Sequence, residues 1–363
     1  AERQGLSATR LLPDAPAVDL LNAQLSQLAG DGEAAKARFL SLSREPSTRL
    51  VGLRGLHVEA LRAGDLPAAR AHARAAFALD GTVPWAAQAA FDAATAERNW
   101  TEALAVLEHN GKARIIDKGA ARRLRAVLLT AEARDCLSHD RPRAGKLALE
   151  AHGLAKDLVP AAVTAADVLG EKSRRQAESI LEETFRVFPH PEIASAHAAL
   201  PGPQTGQDAV RRASGLANLA KGHLEGALAL ARAALSARQF EAARDALRPF
   251  LDSGPPQRVC TLMAEIEAAE HGDEPRVRLW LIRALKAPRD PVWIADGVVS
   301  AAWDAVSPVT GVLDRYEWRI PYDGVAAATV VDLTALGTDG GAALPVRSDE
   351  DGHARASVPS TGP

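Results

Sequence analysis

RLVGLRGLHVEALRAGDLPAARAHARAAFALD, residues 49–80, decides the fold. Leu53, Leu56 and Ala60 fall on one face of a first helix, Gly64-Asp65 interrupts the pattern, and Ala69, Ala73 and Ala76 fall on one face of a second. A 3.6-residue period on both sides of a short break reads as a helical hairpin. The small residues of the second face allow close helix approach. Gly64 admits a left-handed backbone, and Asp65 can cap the helix that follows.

Outward from this stretch the pattern recurs. Ala35, Ala69 and Ala103 are 34 residues apart, Ala144 follows after 41, and Ala177, Val210, Ala243 and Val277 come at 33, 33, 33 and 34. The early turns are Gly30-Asp31, Gly64-Asp65 and Arg98-Asn99-Trp100. A period of about 34 with a small residue early in the second helix is the tetratricopeptide signature. The expected fold is all-α, a right-handed solenoid of about eight such hairpins, each burying its neighbour. The 41-residue interval calls for an extended loop or a lengthened helix within GKARIIDKGAARRLRAVLL, and PGPQTGQ (201–207) reads as a long turn after a short helix. Pro160, Pro189 and Pro191 fall at unit boundaries, where helix stops belong.

The expected organisation is a linker over 1–13, repeats over 14–288, a tryptophan-rich cap over 289–321 and a disordered tail over 322–363. The segment 289–321 is too irregular for helix and too aromatic for disorder, and is expected to fold back over the open end of the last helix pair. The chain begins Ala1-Glu2 and not Met, which suggests that an upstream segment has been removed.

Composition narrows the function classes. Of 363 residues 47% are hydrophobic but only 4% aromatic, which suits closely packed helices of good helix formers. A net charge of -3 and a pI near 6.4 give no basic face for nucleic acid. No run of 18 apolar residues is present. Cys136 and Cys260, 124 residues apart, form no disulfide framework and read as small buried hydrophobes.

No local catalytic signature occurs: no nucleophile elbow, no HExxH, no glycine-rich phosphate loop, and no CxxC or haem-attaching CxxCH. Cys136 and His139 share a helix face but are too few for a structural zinc site. The ten histidines are scattered without metal spacing, so no metal site and no catalytic residue is assigned; His57 and His72 remain conceivable haem ligands. Arg122-Arg123-Leu124-Arg125, Arg174-Arg175 and Arg211-Arg212 could grip carboxylates. On the concave surface formed by the first helices of the hairpins, Arg54, Gln88, Asp92 and Arg232 point inward without serving the core, and are the candidate partner-binding residues.

One segment is more specific than the repeats. VCTLMAEIEAAEHGDEPRVRLWLIRALKAPRDPVWIADGVVSAAWDAVSPVTGVLDRYEWRIP (259–321) carries Ala-Pro-Arg-Asp-Pro-x-Trp ending at Trp293, then Asp296-Gly297, Trp303, Ser307-Pro308-Val309-Thr310-Gly311, Asp314 and Glu317-Trp318. It resembles the C-terminal part of the proteobacterial HemY family in its alphaproteobacterial form, and the likeness extends over roughly residues 14–321. The resemblance implies a non-enzymatic scaffold of late protohaem synthesis, held in the inner membrane by N-terminal helices absent from this chain, with its repeats in the cytoplasm and haem-biosynthetic enzymes as partners. It carries over no catalytic residue. Two alternatives stand beside it: direct haem or porphyrin binding, and a general membrane-assembly adaptor.

Overall fold

The computed structural model describes residues 16–202, 205–252, 254–272 and 274–321. The expected linker and tail lie outside the described residues. Among the described residues sixteen helices form eight consecutive hairpins: α1 (Pro16–Leu28) with α2 (Gly32–Arg44), α3 (Arg49–Arg62) with α4 (Leu66–Leu79), α5 (Pro84–Ala96) with α6 (Trp100–Lys112), and α7 (Lys118–Cys136) with α8 (Arg141–Leu154). They continue as α9 (Val159–Gly170) with α10 (Arg174–Val187), α11 (Pro191–Ala199) with α12 (Gly206–Leu219), α13 (Leu224–Ser236) with α14 (Phe240–Leu247), and α15 (Gln257–His271) with α16 (Glu274–Lys286). The fold is an α-solenoid.

The alanine beat marks buried positions between helices. Ala35, Ala69, Ala103, Ala144, Ala177 and Ala243 are all buried in the first turns of second helices, whereas Val210 and Val277 are half-buried. A repeated cap sets each of the early second helices: the side chains of Asp31, Asp65, Asn99 and Asp140 accept from the backbone N–H three residues on. The 41-residue interval is spent on α7, a helix of 19 residues. Prolines open helices here as well as ending them: Pro160 and Pro191 stand in the first turns of α9 and α11, where their missing N–H costs nothing.

After α16 the chain departs from expectation. The segment is not irregular but a three-stranded antiparallel sheet, β1 (Val292–Ala295), β2 (Val298–Ser300) and β3 (Tyr316–Arg319), in the order β2-β1-β3. Asp296 and Gly297, at φ 46° and 85°, make the two-residue turn whose twist matches an antiparallel pair. Nor does the sheet cover the last helix pair. Trp293, Ala295, Trp303, Ala305, Leu313 and Tyr316 join the largest core cluster, which runs from α5 to α12. The aromatic side chains find their burial in the middle of the solenoid, and the outer face of α16 stays exposed.

Helix packing at the N-terminal end is close enough to exclude a methyl group. A Cβ on Gly52 in α3 would stand 2.4 Å from the Ser43 backbone nitrogen and 2.7 Å from the Phe39 carbonyl oxygen, both on α2. Gly153, in α8, has nothing within 4 Å of the same position. Alanine favours a helix interior by about 1 kcal/mol over glycine, and the clash decides the sign. Gly52→Ala is therefore expected to destabilise by about 2 kcal/mol and Gly153→Ala to stabilise by about 0.5–1 kcal/mol, read from urea midpoints of the two variants against the parent.

Candidate functional site

The first helices of successive hairpins touch one another (α7 with α9, α9 with α11, α11 with α13, α13 with α15) and so line the inner side of the stack. The sheet and its loops are seated against this side by a set of directed contacts. His190, which precedes α11, is fully buried against Phe188, Trp293 and Trp318, with ring centroids 5.8, 5.1 and 4.2 Å away. Trp293 and Trp318 meet edge to face at 5.3 Å, and the Trp293 indole N–H donates to Glu192 at 2.7 Å. Arg123 of α7 holds Asp314 through two nitrogens at 2.8 and 3.1 Å, and reaches Asp157 at 3.0 Å. Arg134 donates to the Trp303 carbonyl at 2.7 Å and lies over its ring at 5.5 Å.

Arg98 adds a contact from the third hairpin. It occupies a left-handed backbone position, φ 54°, where the two preceding hairpins have Gly30 and Gly64. The arginine strains the turn by about 1 kcal/mol, and its guanidinium grips Asp304 of the C-terminal segment. The basic run at 122–125 also grips carboxylates, as its composition suggests, but those of this chain: Arg123 takes Asp314 and Asp157, and Arg125 takes Glu150.

The motif residues between 287 and 318 build the segment. Asp296 accepts from Thr310 Oγ1 at 2.5 Å and from Arg315 at 3.0 Å, and the Ser307 hydroxyl accepts from the backbone N–H groups of Val309 and Thr310. Ser307-Pro308 and Gly311, at φ 70°, thereby turn the loop that carries Val309 and Val312, exposed, towards the second and third hairpins.

There the seat leaves an opening. A cavity of about 660 Å³ lies between α3, α4 and α5 and is closed on one side by Val309–Val312. Arg54, His57, Trp85, Gln88 and Asp92 line it. Arg54 lies 5.8 Å from the centroid of the Trp85 ring, and Gln88 donates to Asp92 at 2.8 Å. Burial pushes the Asp92 carboxyl up from its ordinary value, opposed by the Gln88 hydrogen bond. His57 Nδ1 donates to the Ala69 carbonyl at 2.9 Å, which leaves Nε2 unprotonated in the neutral ring. A cation over an aromatic shelf, a hydrogen-bonded carboxyl and two exposed valines make a surface that can hold an extended segment of another protein.

Of the four residues inferred from sequence, the structure thus brings Arg54, Gln88 and Asp92 together. Arg232 is elsewhere. It lines a cavity of about 300 Å³ between α11, α12 and α13, walled by Ala194, Ala213, Leu216 and Leu228 with His197 and Arg212. His57, which the sequence offers only as a conceivable haem ligand, lines the same cavity, as do Trp85 and the valines of the 309–312 loop, for which a tryptophan in the first turn of an inner helix is the one sequence signal. His72 lines a different cavity, with Glu33, Lys36 and Glu59. Among the described residues no three His, Cys, Asp or Glu side chains are placed to hold a metal ion, and Cys136 and Cys260 are buried thiols whose pKa burial raises.

No protein-family model matches the chain. The chain is 30% identical over 203 residues to the "Probable magnetosome protein Mms48" of Magnetospirillum gryphiswaldense, covering 54% of this chain and 45% of that protein. It thus spans less than half of that relative's length. Solved structures with partial likeness are a tetratricopeptide repeat protein from Parabacteroides merdae (12% identity, 74% of this chain and 98% of that one, TM-score 0.29), yeast Tom70 (12%, 76% and 76%, 0.24) and the P58(IPK) TPR domain (13%, 75% and 97%, 0.24).

The buried imidazoles make the fold sensitive to acid. Desolvation, reinforced by Arg258, lowers the His190 pKa from 6.5 to about 3, and desolvation, reinforced by Lys156, lowers that of His152 to about 4. Both rings are held neutral in the fold, so their contribution is complete above pH 6.5. It is lost as pH falls, because the unfolded chain takes up protons that the folded chain refuses. Each ring adds up to about 1.4 kcal/mol per pH unit to the slope below that point. Urea unfolding between pH 7 and pH 4 is expected to show this loss, and His190→Asn, which keeps an acceptor for the Glu192 amide, to remove about half of it; an unchanged pH dependence would contradict the assignment.

Proposed function

We propose that this chain is a non-enzymatic docking scaffold whose inner groove takes segments of partner proteins at places its own C-terminal sheet leaves open. One observation carries the reading: the cavity at Arg54, Trp85, Gln88 and Asp92, where a cation, an aromatic shelf, a hydrogen-bonded carboxyl and exposed valines converge on an open groove. Solenoids present such extended surfaces to peptides and protein faces. On the likeness of residues 287–318 to the HemY family, the finer reading is that the partners are enzymes of late protohaem synthesis at the inner membrane. The relative among magnetosome proteins leaves room for an assembly adaptor with other partners.

A photocrosslinking residue at Ala89, which lines the cavity, tests both levels. In cells the scaffold reading expects discrete crosslinked proteins that disappear with Trp85→Ala, and the haem reading expects ferrochelatase or a porphyrinogen-handling enzyme among them. Crosslinks indifferent to Trp85 would remove the groove from the account, and capture of envelope-assembly proteins alone would favour the adaptor.

A second reading has an observation of its own. His57 has Nδ1 committed to a carbonyl, leaves Nε2 as the basic nitrogen, and lines a cavity that also contains Arg54 and Arg70. That is the arrangement in which an imidazole ligates iron while arginines meet propionates. Hemin titrated into the purified chain is then expected to give a saturable Soret shift that His57→Ala abolishes; a shift that survives the substitution would exclude this site.

A further inference from the structure

The last helix has one face in the stack and one face bare. Val277, Trp280 and Ala284 of α16, followed by Ala287, are its least exposed residues, and only Ala284 is buried. On the opposite half Leu279, Ile282 and Leu285 are 58%, 45% and 84% exposed, with Leu281 at the flank. The same exposed half carries Arg278, Arg283 and Lys286, and Arg289 follows just beyond the helix. Glu274 is the one acidic residue from 274 to 289. Arg276 pairs with Glu267 and Arg283 lies over the Trp280 ring at 4.5 Å, while Arg278, Lys286 and Arg289 have no carboxylate partner among the described residues.

Solenoid ends ordinarily turn a polar face to water, and three large aliphatic side chains here do the opposite. The segment that follows does not cover them. Its backbone crosses the start of α15, where Pro288 accepts from the Gln257 N–H and Asp290 binds Arg258, and then runs to the middle of the stack. An occupant must therefore come from outside this part of the chain, and the cations require it to be negative. Leucines and cations are interleaved on one convex half-cylinder. A protein partner would need an acid opposite each cation and an apolar pocket for each leucine between them. An anionic lipid surface supplies phosphates wherever the long basic side chains reach, while the aliphatic tips enter the boundary between headgroups and acyl chains.

We propose that the exposed face of α16 docks this end of the solenoid on an anionic lipid surface, with the helix lying in the plane of the interface. The surface is independent of the inner groove, which remains open to a partner protein. The test is flotation of the full chain with phosphatidylcholine vesicles and with vesicles of phosphatidylcholine and phosphatidylglycerol in equal parts. The anionic vesicles are expected to bind at least about tenfold better, less so at high salt. Arg278→Glu with Lys286→Glu, and separately Ile282→Ser with Leu285→Ser, are each expected to lower that binding by about tenfold. None of the four side chains is buried, so the melting curve serves as the folding control. Equal binding to the two vesicle types, or binding indifferent to both variants, would overturn the proposal. So would self-association or capture of an acidic protein that depends on Ile282 while the vesicles stay free.

Discussion

Burial of a neutral imidazole between two tryptophans determines where the end of this chain goes. His190 sits in the cluster of Phe188, Trp293 and Trp318, and Glu192 takes the indole N–H of Trp293, which would otherwise be buried without a partner. A sheet whose strands have four, three and four residues is too small to be stable alone. It exists because the groove supplies its hydrophobic floor, and the ion pairs of Arg98 and Arg123 hold its loops to the third and fourth hairpins. The middle of the groove is thereby filled by the protein itself. What is left for other molecules lies on either side of that filling.

The helical part of this arrangement was legible because a small residue recurs about every 34 residues in the first turn of each second helix, where six of the eight positions are buried alanines. The exclusion at Gly52 was not legible, since it depends on Phe39 and Ser43 of a neighbouring helix. The sheet does leave a signal: Asp296-Gly297 between Val-Trp-Ile-Ala and Val-Val-Ser is a hairpin turn flanked by strand formers. Strands this short show no alternation. Its destination could not be read at all, because Glu192 and Trp293 are 101 residues apart in sequence.

The candidate site divides in the same way. Arg54, Gln88 and Asp92 could be found because they occupy inner-helix positions that the core does not need. Arg232 satisfies the same rule several hairpins away and therefore lines a different cavity. The missing wall, Val309–Val312, arrives from a segment whose path only the folded chain reveals. The motif residues that suggest a family are explained here by shape: tryptophans that anchor, an Asp-Gly turn, and a Ser-Pro loop aimed at the cavity.

The central claim is that the C-terminal segment is bound by the groove of its own solenoid. A double-mutant cycle on Arg123 and Asp314, 191 residues apart and joined by two parallel hydrogen bonds, tests it most directly. Arg123→Ala, Asp314→Ala and the double variant, unfolded in urea beside the parent, are predicted to give a coupling energy of about 1 kcal/mol or more. Strictly additive effects would mean that the two side chains do not meet and that the segment lies elsewhere.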